Sequence, residues 1–192
     1  MGKRMQAFLL LGVASGLLCS FGGRYLPDIR WLKDAYPGVV LGLFLFFAGR
    51  YVAHRAGRKP LSALLVTVSA GIIGWRLAVK VGTDSGIEPL FLYAVCGTVG
   101  AACVAVGLLY AWSIRSGIAP FLLITLAAGA LGGFLFHLLE QLGDISSLRP
   151  GHWWSTWLFT LWQGVLFAGL AFALRFASSK GWQPGISNRR AV

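Results

Sequence analysis

The sequence predicts an all-α integral membrane protein: a six-transmembrane-helix bundle with both termini on the cytoplasmic side (N-in/C-in). Three observations carry this expectation. The 192-residue chain is 57% hydrophobic and only 12% charged, about half the charge density of a soluble domain. Its apolar residues fall into six continuous runs, several close to the ~20 residues that cross a ~30 Å hydrocarbon layer as a helix. Its basic residues cluster in alternate connecting segments. The runs lack period-2 alternation, which argues strongly against a membrane β-barrel. Backbone polar groups find no water in lipid, so helices are the remaining solution.

The first run, Met5–Phe21, follows Lys3 and Arg4. That start has the form of a signal peptide. No small-x-small cleavage site follows it, and Leu18 before Cys19 does not suit a lipoprotein site. We read it as an uncleaved first span. The second run, Gly38–Val52, follows Pro37 and contains the bulky stretch Leu43–Phe47, which is expected to face lipid. The third, Leu61–Val79, follows Pro60, and the fourth, Leu90–Trp112, follows Pro89. Gly97, Gly100 and Gly107 mark the fourth as a central helix. The fifth, Ala119–Leu139, carries Pro120 at its start, and the sixth is Trp154–Phe176. Proline at the start of a helix loses no hydrogen bond, because its N–H has no intrahelical partner there. Trp31, Trp112, Trp153 and Trp154 fall near span ends, where an aromatic belt is expected. Residues 1–180 form one six-helix transmembrane domain, and 181–192 form a short basic cytoplasmic tail.

Charge sets the orientation. The N-terminal tail, Arg50–Lys59, Ser113–Ile118 and the C-terminal segment hold eleven basic residues and no acid. The alternate segments hold six basic residues and all six acids. The entire net charge of +11 therefore belongs to one face. Lys and Arg in short loops mark the cytoplasmic side. The predicted setting is a prokaryotic plasma (inner) membrane, with the lipid bilayer as partner and anionic lipid attracted to the basic face. The same rim accounts for the basic composition without nucleic acid.

Small residues recur four apart at Gly12/Gly16, Gly38/Gly42, Gly129/Gly133 and Gly164/Ala168. Such faces let helices approach closely. They serve packing within the chain, or they join a second copy or another membrane protein. Cys19, Cys96 and Cys103 lie inside apolar runs and are read as small buried side chains.

Four polar side chains within or near spans are candidate ligand-binding residues: Arg76, His137, Glu140 and Gln163. His137 and Glu140 are three apart on one helix face. Arg76 is expected at the same outer depth, paired with Glu140. Gln163 is expected to floor a cavity open to the outside, with Asp144 or His152 at its rim. The bland alternative has Arg76 and Lys80 snorkelling to headgroups, with Gln163 bonding across helices. His137-x-x-Glu140 reverses the Glu-x-x-His order of di-iron carboxylate bundles, and the further carboxylates those sites need are missing. No haem, metal, nucleotide or other cofactor is implied, and no catalytic residue is assigned. The function expected is binding or transport of a small solute or lipid, or service as the membrane subunit of a larger assembly. The alternative is a membrane-embedded enzyme acting on a lipid or lipid-linked substrate at an outer-leaflet site.

Overall fold

The computed structural model describes residues 2–25, 30–54, 59–145 and 153–177; within these, side chains at 22–25, 30, 31, 33, 89, 90, 143–145 and 153–158 are not described. The tail 181–192 and His152 lie outside the described residues, and the side chains of Trp31, Asp144, Trp153 and Trp154 lie outside the described side chains.

The order is α1 (Lys3–Tyr25), α2 (Arg30–Phe47), a π-helical turn (Ala48–Val52), α3 (Pro60–Asp84), α4 (Pro89–Ala111), α5 (Ile118–Ile145) and α6 (Trp153–Ala173). No strand occurs among the described residues. Five of these helices are long and apolar enough to cross a membrane, and α6 adds the shorter apolar stretch Phe159–Ala173. Large apolar side chains cover the outside as well as the inside: Leu10 is 69% exposed, Leu123 68% and Leu61 66%. A soluble protein of this size does not tolerate so continuous an apolar exterior.

Pro60 and Pro89 each occupy the first helical turn, as expected. Pro37 does not. The second helix begins at Arg30, so Pro37 lies inside it. The charges around position 34 end the apolar run but not the helix, which needs no apolarity to continue toward water. Pro37 cannot bond the carbonyl four residues earlier, a local cost that the surrounding packing must offset. α5 likewise continues past Leu139 to Ile145.

Each helix packs on its chain neighbours, and α1 returns to α6, so the six helices close a ring. Glycines set the seams. A Cβ at Gly16 would strike the Thr160 backbone, at Gly42 the Val68 backbone, at Gly97 the Gly129 carbonyl, and at Gly133 the Tyr93 carbonyl. Gly12 meets Gln163 and Gly164 in the same seam. The pairings run in opposite directions along each seam, so neighbours are antiparallel. Gly12/Gly16, Gly38/Gly42 and Gly129/Gly133 thus face a helix of the same chain, and Gly164 meets Leu9 and Val13 of α1 at 3.8 Å. Lipid supplies no hydrophobic drive between helices, and close van der Waals contact takes its place.

Two expectations about faces are corrected. Leu45, in the stretch assigned to lipid, is fully buried in the core, while Phe47 in the same stretch is 45% exposed. A helix turns by 100° per residue, so a bulky run cannot present every member to lipid. Trp112 sits at the C-terminal end of α4 but is buried rather than belted. Its indole lies against Gly49 of the π-helical turn and meets Phe8 edge-on at 6.2 Å. α4 is packed through glycine on both flanks, with α3 at Gly107 and α5 at Gly97, but within the ring no helix is enclosed by all the others.

Candidate functional site

The α3–α4 seam is not uniform. At Gly74 a Cβ would lie 2.9 Å from the Gly100 carbonyl, whereas at Gly82 it would meet only Cys96 Sγ at 3.5 Å. The two helices splay toward the end of the bundle that carries the C-terminus of α3 and the N-terminus of α4. The gap is a cleft of about 200 Å³. α3 contributes Trp75, Ala78, Val79 and Gly82; α4 contributes Tyr93, Cys96 and Gly97. Gly133 and Phe136 of α5 and Phe159 and Trp162 of α6 complete the wall.

The aromatic wall is continuous. Trp75 meets Phe159 at 5.5 Å, Phe159 meets Phe136 edge-on at 6.3 Å, and Phe136 stacks on Tyr93 at 5.3 Å. Rings at these separations are in favourable aromatic contact. The lining is therefore a continuous apolar surface.

His137 and Glu140 stand beside this wall. His137 is buried, and its imidazole stacks on the Tyr93 ring at 5.3 Å with an interplanar angle of 23°. Its Nδ1 has no hydrogen-bond partner among the described residues. Tyr93 lies close enough to the half-buried Glu140 carboxylate for the two to interact. Tyr93 is thus the residue that joins the two, and sequence spacing alone could not name it.

Arg76 is elsewhere. It is exposed and lines a wider groove of about 790 Å³ with Asp34, Lys80, Thr83 and Asp84. Glu140 is not part of that groove, and the expected Arg76–Glu140 pair is not among the ion pairs of the described residues. The physical reason is rotational: Trp75 faces the cleft, and the next residue of a helix points 100° away. Lys80 instead pairs with Asp84 at 2.8 Å, four residues on.

Gln163 is also separate. It is 1% exposed and does not line the cleft, whereas its neighbour Trp162 does. Its amide nitrogen lies 3.2 Å from Cys19 Sγ, and that thiol in turn lies 3.6 Å from the Pro37 carbonyl. This polar thread ties α6 to α1 and α2. Gln163 Oε1 and the Ser15 hydroxyl are buried without partners among the described residues. The floor of the cleft is Trp162 rather than Gln163.

No family model, curated protein or solved structure matches this chain. The argument for function therefore rests on the site.

Among the described residues no three His, Cys, Asp or Glu side chains converge as metal ligands do. The arrangement offers an apolar slot with a hydroxyl–carboxylate pair at one side and a charged groove at the other. Trp75 and Val79 line both spaces, so they form the ridge between them. The aromatic lining escaped the sequence reading because Tyr93, Phe136 and Phe159 sit in uniformly apolar helices. The one available signal was the recurrence of aromatics at matching depth in four spans.

Proposed function

We propose that this chain is a plasma-membrane protein, N-in/C-in, that binds the apolar chain of a lipid or lipid-like solute in the cleft between α3, α4, α5 and α6. The carrying observation is the aromatic-walled cleft itself. Its volume of about 200 Å³ exceeds the ~150 Å³ of an apolar cavity that accepts benzene. A preformed apolar slot bounded by a few convergent polar groups is the usual form of a small-molecule site. The distribution of basic residues supports placing the cleft in the outer leaflet.

Binding is preferred over transport because Gln163, the polar group nearest mid-membrane, is sealed from solvent at 1% exposure. It is preferred over assembly because the Gly12/Gly16, Gly38/Gly42 and Gly129/Gly133 faces pack within the chain.

The test fills the cleft. Gly82→Leu adds a side chain where a Cβ finds only Cys96 Sγ, at 3.5 Å. The variant is expected to keep its fold and to retain about tenfold less co-purified lipid, read by mass spectrometry of the purified protein. Unchanged lipid retention in a folded Gly82→Leu protein refutes the cleft as the binding site.

One observation favours an enzyme acting on a lipid or lipid-linked substrate: Glu140 and His137 meet at Tyr93, and a carboxylate beside an imidazole suits acid–base chemistry. That reading requires purified protein to alter a lipid extract and Glu140→Gln to abolish the change while preserving lipid retention. Binding alone leaves the extract unaltered by either protein.

A further inference from the structure

We propose that the groove holding Arg76 and Asp34 seats the headgroup of a zwitterionic aminophospholipid whose chain enters the cleft; this deepens the binding reading and rests on it. Four observations point to that class of ligand. First, groove and cleft are contiguous, because Trp75 and Val79 wall both. A ligand that lies across this ridge must be apolar at one end and polar at the other. Second, Lys80 and Asp84 satisfy each other at 2.8 Å, which removes one charge of each sign from the account. Third, Arg76 of α3 and Asp34 of α2 remain, both exposed and both lining the groove, with no ion-pair partner among the described residues. Fourth, the groove is the more polar of the two spaces: Asp34, Arg76, Lys80, Thr83 and Asp84 line it, whereas the cleft is walled by apolar and aromatic side chains.

The chemistry follows from those two charges, unpaired among the described residues. A guanidinium binds phosphate oxygens through two parallel N–H bonds, the strongest geometry open to a phosphodiester. The nearby Asp34 carboxylate opposes a purely anionic headgroup and attracts a primary ammonium. A phosphate against Arg76 with an ammonium against Asp34 satisfies both, whereas phosphatidylglycerol satisfies only the first. Discrimination then comes from the unfavourable member of the pair as much as from the favourable one.

The experiment uses the purified full chain in detergent, titrated with phosphatidylethanolamine or phosphatidylglycerol bearing the same dibrominated acyl chains. Bromine on the chain quenches Trp75 and Trp162, which line the cleft. The wild type is expected to show saturable quenching with at least threefold tighter binding of phosphatidylethanolamine. Arg76→Gln weakens both lipids, by about three- to tenfold. Asp34→Asn inverts the preference toward phosphatidylglycerol. Saturable quenching that is indifferent to headgroup and to both substitutions overturns the headgroup assignment while the cleft stands. Absence of saturable quenching in the wild type overturns the cleft and the headgroup site together.

Discussion

Gln163 illustrates what a buried amide does in a membrane bundle. Only its nitrogen is partnered, by a thiol that is a weak acceptor, and its oxygen has no partner. A buried polar atom without a partner costs free energy, and removing the whole group can be neutral or stabilising. Gln163→Leu is therefore expected to change stability by no more than about 1 kcal/mol, or to raise it. Gln163→Glu keeps the shape but places an ionisable group in the same sealed position, and should lower stability by several kcal/mol. Unfolding in a graded SDS–detergent mixture separates the two; a large loss in Gln163→Leu would show the amide to be an essential strut. The polar character of position 163 was plain in the sequence, because it interrupts an apolar run. Its direction was not. α6 is apolar on every side, so no amphipathic stripe says that Trp162 faces the cleft and Gln163 faces α1. The same limitation hid the separation of Arg76 from Glu140. Depth could be read from the chain, but rotation could not.

At the scale of the helix pair, glycine has two different meanings here. Gly16 lies where the α1 and α6 backbones touch, while Gly82 lies where α3 has moved away from α4. The same chemical change should therefore have opposite effects. Gly16→Val drives a side chain into the Thr160 backbone and is expected to cost at least the 1–3 kcal/mol typical of overpacking. Gly82→Val enters open space and should be tolerated within about 1 kcal/mol, since Gly is itself a poor helix former. Thermal unfolding of both variants in one detergent makes the comparison; equal destabilisation would contradict the splay. Helix starts were legible, within a residue or two at Pro60, Pro89 and Trp153, whereas α3 and α5 run on past the apolar residues to Asp84 and Ile145. The exception, α2, begins eight residues before the apolar run at Gly38. Hydropathy reports where hydrocarbon begins, and a helix is free to extend past that level.

For the molecule as a whole, the charge partition predicts that both ends lie in the cytoplasm. A fluorescent protein fused after Val192 should fold and fluoresce, while alkaline phosphatase fused at the same place should remain inactive; the reverse pair of results would invert the membrane orientation. The ring closure carries a different kind of consequence. The seam between first and last helices joins residues such as Cys19 and Gln163, which are 144 positions apart. At about 5–20 residues per second of synthesis, roughly 7 to 30 seconds separate their emergence from the ribosome. Throughout that interval the glycine face of α1 is bare, and α1 has only α2 as an early partner. A nascent chain released before α6 is made carries an α1 glycine face without its matching helix. The α1–α6 seam therefore cannot close before the last helix of the chain has been made.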